Sequence, residues 1–258
     1  MARMEVATDE NGPVTDRHFV AALGRGLDIL NCFDTIRPSL NVSEIAVLLG
    51  LPQPTVWRLC HTMLSSGHLE AGENGRLRPA LAVLRLGYAT LSELPIAELV
   101  RPYLQELADR FRGAAGMAVR DGTDMRFVQR CESDSQLVLN LRVGSRVPIA
   151  TSAMGWAYLA GLPAAARAEA AGEPAVWQSV KPAIRKAVAA FVSDGFIINP
   201  GVLHPGYNTA AVPVMGANGQ PQYTLNCGGA ASVLSVQQLQ TEVGPRLRAL
   251  AGLLVAVA

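Results

Sequence analysis

Residues 41–56 constrain the fold of this chain more tightly than any other stretch. Asn41 can cap a helix N-terminus by accepting a hydrogen bond from a backbone N–H, and Glu44 can reach back to the N–H of Asn41, the reciprocal pattern of a capping box. A short helix then runs to Leu49. Gly50 falls where that helix must stop in a left-handed conformation, and Pro52 and Pro54 restart the chain with backbone angles preset for another helix. Ala46, Gly50 and Val56 supply a small residue at the crossing, a glycine at the turn and a branched side chain that locks the next helix. This is a tight helix-turn-helix.

The flanking sequence completes a larger unit. Val20, Leu23, Leu27 and Leu30 recur at helical spacing and predict a first helix over residues 19–33, which residues 34–40, containing Pro38, break. In the third helix Val56, Leu59, Cys60, Met63 and Leu64 follow the spacing of an inward face. The opposite face carries Gln53, Thr55, Trp57, Arg58, His61 and Thr62, whose amide, hydroxyl and guanidinium groups suit base edges and phosphates in a DNA major groove. After Gly67, strands over residues 68–71 and 76–78 about the Asn74-Gly75 turn predict a hairpin, which after a third helix is a wing. Arg76 and Arg78 alternate with Leu77, so both are expected on one face, toward phosphates, with Leu77 packed beneath. A merely solvated helix face, or a winged helix that binds protein and never DNA, are the competing readings.

A chain of 258 residues is long enough for two domains of unequal size, and 50% hydrophobic residues with 17% charged ones exclude a disordered protein. Asp9, Glu10, Asn11, Gly12 and Pro13 interrupt any periodicity, so residues 1–14 are expected to be a flexible tail. The net charge of +1 gives no global argument for nucleic acid, and twenty arginines against two lysines read as coding bias as much as chemistry. An acidic start lacks the layout of a secretory signal, and the apolar stretch 249–258 is about half a membrane span, so a cytoplasmic protein without a membrane segment is expected. Cys32, Cys60, Cys131 and Cys227 are far apart, the pattern of reduced buried thiols; no metal and no cofactor is expected.

Residues 81–94 hold a further helical stretch, which Pro95 ends. Ile96, Leu99, Val100, Tyr103, Leu104, Leu107 and Phe111 then form the stripe of a new amphipathic helix. Strands are expected over residues 117–120 and 126–132, joined through Asp121-Gly122, and over 137–143, 196–199, 209–215 and 222–227, with helices over 152–161, around 184–193 and over 236–257. Local hairpins with flanking helices indicate an α+β domain with a central antiparallel sheet. The expected division is a tail (1–14), a winged helix-turn-helix (15–86), a linker (87–94) and a second domain (95–258). An enzyme built on that domain is not expected, because no nucleophile–base–orienter set is visible and His204 is its only histidine.

The order of motifs resembles the IclR family of bacterial regulators across nearly the whole chain. The residues that carry it are 25–30, Gly50-Leu51-Pro52 with Thr55-Val56 and Arg58-Leu59, the wing, Leu107-Ala108, Asp121-Gly122 and residues 143–146. Ala153 with Gly155, residues 194–196, Pro205-Gly206 and residues 211–214 extend it. The resemblance implies a winged helix-turn-helix, a linker helix and a GAF-like (profilin-like) effector domain that binds a small organic acid, in a dimer or dimer of dimers on operator DNA, with repression the expected mode. It also implies an effector pocket at Thr151, Ser152, Ala153, Gly155, Asn199, Thr209, Asn226 and Gly228. The family often has an acid at Asn199, a cysteine at Thr209, serines at Asn226 and Gly228, and a lysine at Trp156. The expected pocket is therefore free of acids and ringed by neutral donors beside a helix N-terminus, which suits an anion.

Overall fold

In the computed structural model, which describes residues 18–34, 37–92, 94–134 and 139–255, the chain divides between Thr90 and Leu91 into two units. The expected tail, residues 1–14, lies outside the described residues. The first unit contains α1 (Ala21–Asn31), α2 (Val42–Leu49), α3 (Gln53–Ser65), a hairpin of β1 (Leu69–Ala71) and β2 (Leu77–Pro79), and the start of α4 (Ala82–Ser92). Its core is built from Ile29, Ile45, Val56, Cys60, Leu69 and Leu77. The stripe that predicts α1 only partly matches the face the core takes. Leu30 packs against the core, but Val20, Leu23 and Leu27 are exposed and Ile29 and Cys32 are the buried residues, because this helix is apolar on two sides.

The wing differs from the expected two-residue turn. Gly72 N–H donates to the carbonyl of Arg76 at 2.7 Å and closes a wider turn in which Asn74 (φ 54°) and Gly75 (φ 70°) are left-handed. The second strand starts one residue late, with Ala71 opposite Leu77 and Glu70 opposite Arg78. The residues expected to form the linker, 87–94, are helical through Ser92, where α4 ends.

The second unit contains, after α5 (Pro95–Arg110), the strands β3 (Ala114–Asp121), β4 (Asp124–Glu132) and β5 (Arg146–Pro148). Then come α6 (Ala153–Gly161), α7 (Arg167–Ala171), α8 (Pro174–Asp194), β6 (Ile197–Pro200), β7 (Tyr207–Met215), β8 (Pro221–Ala230), α9 (Val236–Gln238) and α10 (Gly244–Leu254). The strands form one antiparallel sheet in the order β5-β4-β3-β8-β7-β6. One face packs on α5 and α10 through Met117, Val212 and Leu225; the other packs on α6 and α8 through Ala118, Phe127 and Ala211.

Two expectations for this unit are corrected and one is refined. The strand expected over 137–143 is absent where the chain is described, from 139 on; the third strand of the meander is β5, which starts after the Gly144 turn (φ 89°) and sets Val147 opposite Met125. α8 starts about three turns earlier than its apolar stripe around 184–193 suggests, at Pro174, where proline suits the first helical position. The final helix runs on as expected from Val236 to Leu254, but residues Leu239–Val243 within it form a π-turn between α9 and α10, next to Pro245, which has no N–H to donate to the carbonyl four residues back. The adjoining Gly244 lies so close to the Phe196 ring that a Cβ there would approach it to 2.4 Å.

Candidate nucleic-acid interface and small-molecule pocket

In the first unit, Asn41 Oδ1 accepts from the Glu44 N–H at 2.9 Å and the Asn41 N–H donates to Glu44 Oε2 at 2.7 Å, so the capping box is complete. Gly50 ends α2 at φ 62°, and the Leu51 N–H donates back to the Ala46 carbonyl at 3.1 Å. α3 restarts from Pro52, whose carbonyl accepts from the Thr55 and Val56 N–H groups. Burial of Val56 and Cys60 then fixes the rotation of α3 and turns Gln53, Trp57, Arg58, His61 and Thr62 to solvent, with Thr55 half-buried. Trp57 is 57% exposed and its ring lies 5.4 Å from that of His61, an aromatic pair on the outer face. Gln53 Nε2 donates to Ser43 Oγ at 3.0 Å and ties this face to α2.

Arg76 and Arg78 do not emerge together. Arg76 folds onto the start of α2, where its Nε donates to Ser39 Oγ at 3.0 Å, its Nη2 to the Ser39 carbonyl at 2.6 Å and its Nη1 to Glu44 Oε1 at 3.3 Å. The Glu44 carboxyl sits below its ordinary pKa, held there first by the Asn41 N–H and, against some burial, by Arg76. Arg78 pairs with Glu70 across the hairpin at 2.5 Å and stays largely exposed. The shift of β2 by one residue separates them: Arg76 belongs to the turn and Arg78 to the strand.

In the second unit a tight cavity lies between the start of α6 and the sheet; in this form it has room for about one water molecule. Of the residues expected there, Ser152, Ala153, Asn199, Thr209 and Asn226 line it, and Thr151, Gly155 and Gly228 do not. Ser152 Oγ accepts from the Gly155 N–H at 3.0 Å and donates to the Pro148 carbonyl at 2.6 Å, so it caps α6. Thr151 contributes its carbonyl to Asn199 Nδ2 at 3.0 Å. Gly155 is a close-approach residue, since a Cβ would stand 2.2 Å from the Ile149 carbonyl oxygen. At Gly228 a Cβ would meet Thr209 Oγ1 at 2.6 Å and the Tyr207 ring at 2.9 Å, and its carbonyl accepts from the Tyr207 hydroxyl at 2.9 Å.

Three further polar lining residues, Arg130, Tyr207 and His204, escaped the sequence reading of the pocket. Arg130, with 4% of its side chain exposed, lines the cavity with Tyr207, so the expected ring of neutral donors contains a buried cation. Arg130 Nε donates to Glu132 Oε1 at 3.0 Å and Nη2 to the Leu139 carbonyl at 3.0 Å, and the guanidinium lies 5.2 Å from the Phe127 ring centroid. Burial pushes the Tyr207 hydroxyl up to about 12 against the pull of Arg130, so it is a proton donor at neutral pH. Asn226 Oδ1 is buried and has no hydrogen-bond partner. A bulge in β4 brings Arg130 here. Ala118 faces Phe127 but Met117 faces Gln129, so Val128 is the extra residue and the side-chain alternation changes phase. Among the described residues no cluster of three or more His, Cys, Asp or Glu side chains could hold a metal ion, and no helix is long and apolar enough to cross a membrane.

Residues 22–72 match the IclR helix-turn-helix domain model and residues 88–254 the model of the bacterial transcriptional regulator IclR C-terminal domain. The Pca regulon regulatory protein of Pseudomonas putida is 28% identical over 242 residues, 91% of this chain and 82% of that one. The crystal structure of an IclR family transcriptional regulator from Brucella abortus is 34% identical, with a TM-score of 0.73 and 94% of each chain covered. An IclR homologue from Microbacterium hydrocarbonoxydans, solved in complex with 4-hydroxybenzoate, shares the fold at 21% identity and a TM-score of 0.72, with 91% of this chain and 98% of that one covered.

Proposed function

Since the chain belongs to the IclR family of bacterial transcriptional regulators, with a helix-turn-helix DNA-binding domain and no enzyme among the relatives named above, we propose that it is a sequence-specific regulator whose DNA binding responds to a small organic acid. The observation that carries the DNA-binding half is the outward face of α3, held in place by the capping box, the left-handed Gly50 and the buried Val56. Residues 15–86 are the DNA-binding domain, 87–94 the linker and 95–258 the effector-binding domain. Gln53, Thr55, Trp57, Arg58 and His61 approach the bases. Arg78, exposed on the wing, approaches a phosphate, and Arg76 acts mainly by bracing the wing on α2. The effector-side residues are Ser152, Ala153, Asn199, Thr209 and Asn226 at the cavity, with Thr151, Gly155 and Gly228 shaping it from behind.

The Microbacterium homologue carries an aromatic carboxylate, which supports an organic acid as effector. Self-association to a dimer, or a dimer of dimers, is supported by the large apolar side chains that α1 and α4 leave in solvent: Leu23, Leu27, Leu84 and Tyr88 are all more than half exposed. Repression is the simplest mode, because occupancy of a promoter suffices for it, and the setting is the cytoplasm, with operator DNA. The test selects duplexes from random sequence with the full chain and measures their binding in rising salt. The reading requires a selected sequence that outcompetes bulk DNA, and a protein that enriches none contradicts it.

A further inference from the structure

Resting on the reading of this cavity as the effector site, we propose that Arg130 determines its specificity by anchoring the carboxylate of the ligand, and that Asn226 takes a hydroxyl at the ligand's other end. The first support is charge. Arg130 is almost wholly desolvated, and its carboxylate partner Glu132 is shared, because Arg142 Nη1 lies 2.8 Å from each Glu132 oxygen. Two guanidiniums thus face one carboxylate. The other contacts of Arg130 described above, the Leu139 carbonyl and the Phe127 ring, are neutral. A buried cation with an incomplete counter-charge is costly, and a ligand carboxylate completes the pairing in the planar geometry that guanidinium favours.

The second support is register. Arg130 stands opposite Gly116 on β3, and Gly116 stands opposite Asn226 on β8, so the three share one row and one face of the sheet. Two strand spacings, roughly 10 Å of backbone, separate the two polar residues. Between them Gly116 has no side chain, and its place is taken by the Phe127 ring, which a Cβ on Gly116 would approach to 2.7 Å. The floor between anchor and amide is therefore flat and apolar, with Met154 and Leu203 among the other lining side chains. The buried Asn226 Oδ1 without a partner asks for a donor from whatever lies on that floor. These features select a planar, hydroxyl-bearing monocarboxylate, for which the cavity must widen from its one-water size. A dicarboxylate fits less well, because among the described residues no second arginine or lysine lines the cavity, and its second carboxylate would meet only the His204 imidazole.

The experiment is calorimetry on the full chain with four probes: 4-hydroxybenzoate, benzoate, 4-hydroxybenzyl alcohol and terephthalate. For the wild type the proposal expects 4-hydroxybenzoate to bind tightest, with the neutral alcohol weaker by about thirtyfold or more and benzoate by about tenfold, the scale of one charge-assisted and one neutral hydrogen bond. Arg130→Gln should lose that factor for 4-hydroxybenzoate and leave the alcohol unchanged, whereas damage to packing would weaken both. Asn226→Ala should bring 4-hydroxybenzoate down to the level of benzoate. If Arg130→Gln does not fold, the probe series on the wild type still decides. Equal affinity for the acid and the neutral alcohol, or tighter binding of terephthalate, overturns the role of Arg130 and leaves the effector site standing; no binding of any probe removes the effector-site reading and this proposal with it.

Discussion

Replacing Gly155 with alanine is expected to damage the cavity wall through backbone geometry alone. The added Cβ would stand 2.2 Å from the Ile149 carbonyl oxygen, 2.3 Å from its Cα and 2.5 Å from its carbonyl carbon. Ordinary contact begins near 3.4 Å, so the start of α6 must retreat by roughly 1 Å from backbone atoms that cannot rotate away. Overpacking of this kind costs about 1–3 kcal/mol, and the upper end applies because the obstacle is main chain. The retreat also pulls the Gly155 N–H from Ser152 Oγ, a cap of about 1 kcal/mol. A total near 4 kcal/mol lowers the melting temperature of a domain of this size by about 8–16 °C. Thermal unfolding of the full chain followed by circular dichroism measures it, with Gly252→Ala as the control, since nothing lies within 4 Å of a Cβ there. A Gly155→Ala protein that melts within about 2 °C of wild type would refute the claim that α6 is pinned against the 149–150 backbone.

Arg58→Ala should weaken binding to a selected duplex by about 1–3 kcal/mol and change the ranking among related duplexes, read by fluorescence anisotropy; an unchanged ranking returns Arg58 to a solvated face. Arg78→Ala should weaken all duplexes alike and flatten the slope of log affinity against log salt by about one unit, while Arg76→Ala should chiefly lower stability, because its bonds to Ser39 and Glu44 are lost. Burial pushes the Cys227 thiol up to about 12 and Cys60 up to about 11 from an ordinary 9.0. The unfolded chain releases these protons first, so the stability they confer is whole below pH 9 and is lost as pH rises toward 12. Urea midpoints should fall steadily from about pH 9 upward, and less steeply in Cys227→Ala; parallel profiles would contradict it.

The helix-turn-helix was legible because its signals are local. Asn41, Glu44 and Gly50 act within one or two turns of their own chain, and the outward set from Gln53 to Thr62 follows once Val56 and Cys60 are assigned inward. Arg130 was not legible, since its face depends on the bulge at Val128 and its neighbours on pairing with Gly116 and through it with Asn226, which no local pattern encodes. Arg76 looked like a wing contact because alternation with Leu77 assumes a strand, and the wider turn removes it from one. The final helix was legible, but the π-turn within it was not read: apolar spacing from Val236 onward hides Pro245, whose missing N–H disturbs the ordinary ladder there. Ser152 and Gly155 fell at the right place in the chain, but their work is capping and close approach, roles that a list of pocket positions does not distinguish from contact with a ligand.

The measurement that tests the central claim most directly is DNA affinity with and without ligand, by anisotropy of a selected duplex titrated with the full chain in the presence of saturating 4-hydroxybenzoate, with occupancy confirmed by calorimetry. A regulator switched by its effector must bind the ligand differently in its DNA-competent and DNA-incompetent arrangements. The account therefore predicts that the ligand changes DNA affinity by about 5–150-fold, and that the duplex changes ligand affinity by the same factor. Identical DNA affinity with the ligand demonstrably bound would contradict it.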